Sequence, residues 1–363
     1  MLIQFTPQLL LQLAIMGMIV AMLPLSIVWV SNDPDKYRKL VWVTLFLTFD
    51  LIMFGAFTRL TDSGLGCPDW PGCYGHADPI KAHADISAAE AAMPTGPVTV
   101  VKAWIEMIHR YFAMAIGVLI VGMMVLSWRR WLQSRRTESK FAPAFPTFLF
   151  LFVCLQGAFG AWTVTMNLQP IIVTIHLLLG MALLAFLAWF GAHLSNQPAM
   201  TGSIAATLRA PAVLATVFLV IQIGLGGWVS TNYAALACTD FPMCNGKLLP
   251  PMDFTHGFTL WRDLGMTAHG EYLPFDALTA IHWTHRTFAF VVFAMIVWVA
   301  FSAMRLASLK KTARWLLVLI VLQFIVGIAT IFLQLPLLLA VVHNGIAALL
   351  LLLLTILNHK LRH

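Results

Sequence analysis

Four histidines each lie near one end of an apolar run that is long enough to form a helix. His109 and His176 lie in the first half of the chain, and His285 and His343 lie in the second half. Each is about 5 to 8 residues from the end of its run, which is roughly 8–12 Å along a helix. Imidazole binds zinc, copper, nickel and iron. A lone histidine in an apolar helix usually packs and hydrogen-bonds, but four at one depth indicate a set of metal ligands.

The composition indicates a polytopic membrane protein. Of the 363 residues, 60% are hydrophobic and 10% are charged, whereas a soluble domain carries about 25% charged residues. Nine apolar runs approach the ~20 residues that cross a bilayer as a helix. They are too long and too uniformly apolar for barrel strands, so we predict an all-α bundle. The runs are 9–30, 39–58, 103–127, 146–166, 171–193, 209–230, 277–304, 313–333 and 337–357.

The first run has no basic segment before it and no small-residue cleavage site, so we expect a retained helix. Basic residues alternate between the connections. Fifteen Lys and Arg fall in 31–39, 128–145, 194–208 with Arg209, 305–312 with Arg314, and the tail after 357. Five fall in 59–102, 167–170, 231–276 and 334–336, together with ten Asp and Glu. The positive-inside rule places the first set in the cytoplasm.

This topology puts the N-terminus outside and the C-terminus in the cytoplasm, as in a bacterial-type inner membrane. The net charge of +7 is then explained mostly by the basic residues of the cytoplasmic connections. No basic patch interleaved with aromatic residues lies outside the spans, so nucleic acid is excluded as a partner. We expect the membrane-spanning helices to contact the surrounding lipid.

Four charged residues fall inside the spans, where ionisable side chains are costly and are candidates for function. They are Asp50, Glu106, Arg110 and Arg286. The two arginines directly follow His109 and His285, and Glu106 lies one turn before His109 on the same helix face. The structural alternative is a set of ion pairs that holds the bundle together. Asp50 is alone in mid-span, and its sequence context fits a packing role as well as a functional one.

An internal repeat relates the two halves of the chain. Residues 55–75 match residues 226–246 at a constant offset of 171. Repeated pairs include Cys67 with Cys238, Asp69 with Asp240, Cys73 with Cys244, His109 with His285, Gln156 with Gln323, and His176 with His343. We predict an extra N-terminal helix with its connection at 1–38, followed by two four-helix units at 39–194 and 195–363.

Each predicted unit supplies one histidine from its second helix and one from its fourth. Two histidines without a nearby set of cysteines or carboxylates make a poor zinc site, because zinc takes four ligands. They suit the two axial positions of a haem in a bundle core. We therefore predict bis-histidine haem sites at His109/His176 and His285/His343. The arginines beside His109 and His285 are expected to bind the haem propionates.

Two cysteine pairs lie in the long loops of the predicted outer face. Cys67 and Cys73 have the same spacing as Cys238 and Cys244, and the intervening Pro and Gly favour a tight loop. Outside the cytoplasm such pairs tend to oxidise, so we expect two local disulfides. A metal-handling pair and a redox-active dithiol stay open as alternatives. Cys154, inside the fourth span, is predicted to be a small core residue.

The motifs of the chain together resemble those of the haem A synthase family. The stretch GAFTRLTDSGL at 55–65 is similar to the family signature G-x-x-T-R-L-T-x-S-G-L. The stretch EMIHR at 106–110 resembles the family motif E-x-x-H-R. The resemblance extends to the paired loop cysteines and to His176, His285 and His343. It covers residues 40–357, which leaves out the first helix.

The resemblance implies an oxidoreductase that oxidises the C8 methyl of haem O to a formyl group, giving haem A for terminal oxidases. The implied ligands are His109 and His176 for the substrate haem O and His285 and His343 for a retained haem b. Glu106 matches the functionally important acid, which would accept a proton or position water. The second-half equivalent of Glu106 is His282, so the chemistry is expected in the first half. The implied partners are the haem O synthase, the machinery that assembles terminal oxidases and an electron donor, and self-association stays open.

Two other function classes fit part of the sequence. A dihaem cytochrome in quinol-linked electron transfer explains the four histidines equally well. It does not explain Glu106, the repeated cysteine loops or the change to His282. A transporter fits the presence of repeats, but this repeat is parallel and no span is visibly broken by Gly or Pro at mid-membrane.

Overall fold

The computed structural model describes residues 6–195, 200 and 202–362. The predicted connection at 194–208 and the tail after 357 are therefore described only in part. Throughout these residues the chain forms helices, turns and isolated bridge pairs, without strands. The helices are α1 (Pro7–Val30), α2 (Lys36–Leu60), α3 (His83–Ala92), α4 (Val100–Gln133), α5 (Ala144–Thr165), α6 (Pro170–Leu194), α7 (Ser203–Thr231), α8 (Phe254–Gly257), α9 (Phe275–Ala303), α10 (Lys310–Phe332) and α11 (Leu337–Leu361).

Within the described ranges, nine helices are long and apolar enough to cross a membrane. Each of the nine predicted runs corresponds to one of them, so the prediction of a polytopic all-α membrane protein is confirmed. The short helices α3 and α8 lie in the two long loops. Several helices extend beyond their predicted spans. For example, α4 continues through Arg129 and Arg130, because backbone hydrogen bonding does not stop where the apolar run stops.

The chain divides into two compact units. Unit 1 comprises the described residues up to Leu168 together with Ala182–Ser195. Unit 2 comprises Gln169–Met181 together with the described residues from 200 onward. The first part of α6 therefore belongs to unit 2 and its last part to unit 1.

In unit 1, α4 packs against α1, α2, α3 and α5. Leu9 and Leu13 of α1 join a buried cluster that includes Cys67, Cys73 and Met107. The first helix thus packs on the loop that follows α2 as well as on α4. Farther along α1, the backbone of Gly17 faces α4 closely, and a Cβ added to Gly17 would lie 2.9 Å from Met114 Cβ.

We expect Gly17→Val to loosen the packing of α1 on α4. Overpacking of this kind typically costs about 1–3 kcal/mol. In detergent, the thermal midpoint should fall by a few degrees relative to the parent protein. Ile19→Val, at a side chain that is exposed on the same helix, should leave the midpoint unchanged. An equal midpoint for both variants would show that α1 tolerates a side chain at position 17.

In unit 2, α7 packs on α9 and α11, and α10 packs on the same two helices. This arrangement brings the histidine-bearing helices α9 and α11 against common neighbours. Two residues of unit 1, Cys154 and Asp50, lie outside the core. Cys154 is exposed on α5, so its prediction as a core residue is wrong, because a uniformly apolar helix does not reveal which face meets lipid. Asp50 is also exposed on α2.

Candidate functional site

In unit 1, Glu106 connects α4 to the loop that follows α2. Its side chain is buried, with 4% of the residue exposed. Glu106 Oε2 accepts a hydrogen bond from the Cys67 N–H at 2.8 Å, and Oε1 pairs with the Arg110 guanidinium one turn along α4. The loop approaches closely at Gly66, where a Cβ would lie 2.4 Å from the Lys102 carbonyl carbon. Both oxygens of the acid are therefore held, one by a backbone amide and one by a cation.

Arg110 also holds the loop itself. Its Nη1 donates to the carbonyl oxygens of Asp69 at 3.0 Å and Gly72 at 2.5 Å. A third loop carbonyl, that of Pro71, lies at 3.3 Å. The guanidinium thus links the buried acid to three carbonyl oxygens of the loop backbone. The predicted binding of a propionate by Arg110 stays a prediction, because these contacts are all with protein atoms.

The loop of unit 1 closes on itself. The sulfur atoms of Cys67 and Cys73 are 2.08 Å apart, within a disulfide bond. Asp69 accepts backbone hydrogen bonds from the N–H of Tyr74 at 2.6 Å and of Gly75 at 2.7 Å. Tyr74 and Gly75 have φ values of 50° and 75°, and the Asp69 carboxylate stabilises this left-handed turn by satisfying both amides.

Unit 2 builds the same loop. The sulfur atoms of Cys238 and Cys244 are 2.01 Å apart. Asp240 accepts from the N–H of Asn245 at 2.6 Å and of Gly246 at 2.8 Å. We call the shared arrangement the loop frame. It consists of Cys67, Asp69, Cys73 and Arg110 in unit 1, and of Cys238, Asp240, Cys244 and Arg286 in unit 2.

The two units differ at the helix residue that accepts the hydrogen bond from the N–H of the first loop cysteine. In unit 2, the Cys238 N–H donates to His282 Nδ1 at 3.3 Å, the role that Glu106 Oε2 has in unit 1. Arg286 Nη1 donates to the carbonyl oxygen of Asp240 at 2.8 Å and to a second loop carbonyl at 2.5 Å. The hydrogen bond from the equivalent cysteine N–H is therefore accepted by a carboxylate in unit 1 and by an imidazole in unit 2.

The Asp240 carboxylate gives the loop of unit 2 a pH dependence. The backbone N–H groups of Gly246 and Asn245 lower the pKa of Asp240 from its ordinary value, against a smaller opposing effect of desolvation. A carboxyl whose pKa is lowered by folding stabilises the fold at pH values above its unfolded pKa. That contribution is lost as the pH falls through the folded pKa, below the usual range of an aspartate.

We therefore expect Asp240→Asn to expose the Cys238–Cys244 disulfide at neutral pH. A phosphine reductant should reduce it several-fold faster than in the parent protein, as measured by alkylation and mass spectrometry. The parent protein should show the same acceleration only after acidification below the ordinary pKa of aspartate. Asp263→Asn, at an exposed position of the same loop, serves as the control. Equal reduction rates for Asp240→Asn and the parent would refute the stabilising role of this carboxylate.

Three of the four predicted ligand histidines lie against a glycine of a neighbouring helix. A Cβ added to Gly55 would lie 3.1 Å from the His109 ring, and one added to Gly226 would lie 3.0 Å from the His285 ring. A Cβ added to Gly327 would lie 3.1 Å from the His343 ring. A methyl group at any of these glycines would press on the imidazole. At these glycines each ring packs directly against the backbone of the adjacent helix, and this packing limits rotation of the imidazole.

His176, the fourth histidine, lies in the second turn of α6. It belongs to Gln169–Met181 of unit 2, whereas His109 belongs to unit 1. The pairing of these two residues stays a prediction from the repeat. His285 and His343 both belong to unit 2, and each is contacted by a glutamine side chain.

The two glutamines of unit 2 contact the imidazole nitrogens directly. Gln222 Nε2 lies 3.0 Å from His285 Nδ1, and Gln323 Nε2 lies 3.2 Å from His343 Nε2. Among the described residues, His343 Nδ1 is a buried nitrogen without a hydrogen-bond partner. A buried imidazole nitrogen without a partner fits a missing ligand, because buried polar atoms are otherwise almost always satisfied.

No three His, Cys, Asp or Glu side chains in the described part of the chain cluster so as to hold a bare metal ion. A site with two histidines fits a haem, whose porphyrin supplies the other four iron ligands. The two histidines of unit 2 fit a haem in that respect, because a haem needs only axial ligands from the protein.

Sequence reasoning identified the repeat of Gln156 and Gln323 but assigned no role to the glutamines or glycines that contact the rings. The repeat could have indicated a role for Gln323, because Gln323 repeats Gln156 at the same offset that relates His343 to His176. It gave no such indication for Gln222, because Leu51 occupies the equivalent position.

Comparison with known proteins gives a match over most of the chain. The family described as cytochrome oxidase assembly protein, COX15-CtaA, matches residues 38–355, which leaves α1 outside. A relative named "Heme A synthase" from Shewanella oneidensis is 37% identical over 329 residues, covering 90% of this chain and 97% of the relative. Relatives with the same name are 29% identical in Methylobacterium radiotolerans, covering 85% of this chain and 86% of the relative, and 26% identical in Rhodopseudomonas palustris, covering 86% and 88%.

Proposed function

Because this chain belongs to the COX15-CtaA family of cytochrome oxidase assembly proteins, we propose that it is a haem A synthase. It is an oxidoreductase that oxidises a methyl group of haem O to the formyl group of haem A. The observation that carries this proposal is the difference between two otherwise equivalent loop frames. Among the described residues, only those of unit 1 include a buried acid, Glu106, one turn from a predicted ligand histidine. A dihaem cytochrome explains the four histidines but does not by itself predict this difference between equivalent positions.

We assign His109 and His176 to the substrate haem O, and His285 and His343 to a resident haem b. The repeat supports the two pairs, and the buried, unpartnered His343 Nδ1 supports a ligand in unit 2. When bound, haem b supplies an iron that accepts and releases single electrons. The glycines beside His109, His285 and His343 orient the rings for binding.

Glu106 is assigned as the proton acceptor of the reaction. Conversion of a methyl to a formyl group adds one oxygen atom and removes four electrons, which the proposed electron-transfer partner would accept. With water supplying the oxygen atom, four protons must leave an apolar site as the electrons do. The Cys67 amide and the Arg110 guanidinium hold the carboxylate in one place, so that it does not have to be oriented during the reaction. Arg110 also balances the charge that Glu106 carries when it is ionised.

The two loop frames are proposed to lie on the outer face of a bacterial inner membrane, with the C-terminus in the cytoplasm. The charge difference between the connections supports this orientation. The two disulfides support it as well, because disulfides persist in oxidising compartments. The partners proposed are a haem O synthase that delivers the substrate, the terminal-oxidase assembly that takes the product, and an electron-transfer partner.

Expression in a host that makes haem O but no haem A tests the function. Haems extracted from the membranes are identified by chromatography and mass spectrometry. We expect haem A, which an empty-vector control should lack. Haem b alone, with haem O unchanged and the protein folded and supplied with a reductant, would instead favour the dihaem electron-transfer cytochrome.

A further inference from the structure

We propose that Gln222 is a positioning residue that orients His285 and lowers the reduction potential of the haem bound by that histidine. This inference rests on the proposed function, in which His285 and His343 hold a resident haem. It concerns only unit 2, where α7 carries Gln222 and α9 carries His285.

Gln222 contacts both the ring and the backbone of His285. Its Nε2 lies 3.0 Å from His285 Nδ1 and 3.0 Å from the His285 carbonyl oxygen. On the same α7 face, one turn later, Gly226 lies against the neighbouring edge of the ring, with an added Cβ 3.0 Å from His285 Cε1. An amide and a glycine on one helix thus fix the imidazole by two separate contacts.

The position of the amide also selects which imidazole nitrogen can bind iron. Gln222 occupies Nδ1, so Nε2 is the nitrogen that is left for a metal. A neutral imidazole that binds through Nε2 carries its proton on Nδ1. In the structure the Gln222 amide nitrogen donates to Nδ1 and to the His285 carbonyl oxygen. To serve the state with a proton on Nδ1, the amide must turn so that Oε1 faces Nδ1 and accepts that proton, which gives up the donation to the carbonyl oxygen. The acceptor, Gln222 Oε1, is buried and has no partner among the described residues.

Acceptance of the Nδ1 proton has a predictable electronic effect. A hydrogen-bond acceptor at this nitrogen makes the imidazole a stronger donor to the metal. Stronger donation stabilises ferric iron relative to ferrous iron and so lowers the reduction potential. An apolar side chain at position 222 supplies no acceptor, and the potential should then rise.

The repeat makes this position a difference between the two units. Leu51 is the equivalent of Gln222, and it lies one turn before Gly55 just as Gln222 lies one turn before Gly226. Gly55 in turn lies against His109. By contrast, Gln323 repeats Gln156, so that glutamine is common to both halves. One amide therefore distinguishes the helix face beside His285 from the equivalent face beside His109.

The test uses the full chain purified as a holoprotein from a host that makes haem b but no haem O. A redox titration gives the potentials, and electron paramagnetic resonance of the ferric form reports the axial ligands. The component lost in His285→Ala identifies the haem of unit 2. In Gln222→Leu, which copies the other unit, and in Gln222→Met, which keeps the length of the side chain, this component should shift to a higher potential with an altered ferric spectrum.

Gln222→Glu, which retains an acceptor, should keep the potential at or below that of the parent. Ile221→Leu, at the exposed neighbouring position, should change neither readout, and Leu51→Gln should lower the potential of any haem bound by His109. A parent-like potential in Gln222→Met, with the His285-dependent haem retained, would overturn the role of Gln222 alone. A haem content that does not depend on His285 would overturn the proposed ligand assignment, and this inference with it.

Discussion

Glu106→Gln is expected to slow haem A formation about 10²- to 10⁴-fold, the usual contribution of a positioned acid or base. The amide has nearly the shape of the acid and can still accept the Cys67 N–H, but it cannot take up a proton or pair with Arg110 as an ion. Haem binding should persist, because the histidine ligands are unchanged. The measurement is haem A produced per protein over time, alongside total haem content.

The repeat provides a matched control for this variant. Glu106→His copies unit 2, where an imidazole accepts the equivalent Cys238 amide. If Glu106 serves only to hold the loop, Glu106→Gln and Glu106→His should both retain activity, because each side chain can accept the Cys67 N–H. If the acid itself takes part in the chemistry, both variants should be inactive with haem bound. A fully active Glu106→Gln enzyme would exclude the proposed proton transfer.

His285→Ala and His343→Ala are each expected to remove the resident haem and with it most of the activity. Each substitution deletes one of the two proposed axial ligands. Purified protein should lose one haem per chain, as measured by the pyridine haemochrome assay. The absorbance bands of a bis-histidine haem should fall in proportion.

A truncated ligand also permits rescue. His285→Gly with added imidazole should recover part of the haem spectrum, which a general folding defect would not allow. His269→Ala, at an exposed loop position, is the control and should retain full haem content. Retention of both haems in His285→Ala and His343→Ala would contradict the assignment of these residues as ligands.

The membrane spans were predictable from the sequence because an apolar run of bilayer length has few other uses. The helix ends were not, since α4 continues to Gln133 through charged residues that lie outside any apolar run. The face that meets lipid was also hidden, as the exposed Cys154 shows. A uniformly apolar helix carries no periodic signal that separates a core face from a lipid face.

The candidate site was predictable where the repeat marked it and not elsewhere. The histidines, the loop cysteines and Glu106 stood out by type and by position in the repeat. The contacts of Arg110 with loop carbonyls did not, because they depend on how an irregular loop folds back over its helix. Gln222 was invisible for a different reason, since a glutamine without an equivalent in the other half looks like any polar residue in a span.

The loop frame has an evolutionary consequence. Both halves of the repeat contain the disulfide, the aspartate that holds the turn and the arginine that binds the loop carbonyls. These contacts keep the loop in place whether position 106 or 282 holds an acid or an imidazole. A single codon change at that position can therefore alter what one copy does without requiring a new fold around it. One half of the repeat can therefore carry the proposed proton acceptor while the other half has an imidazole at the equivalent position.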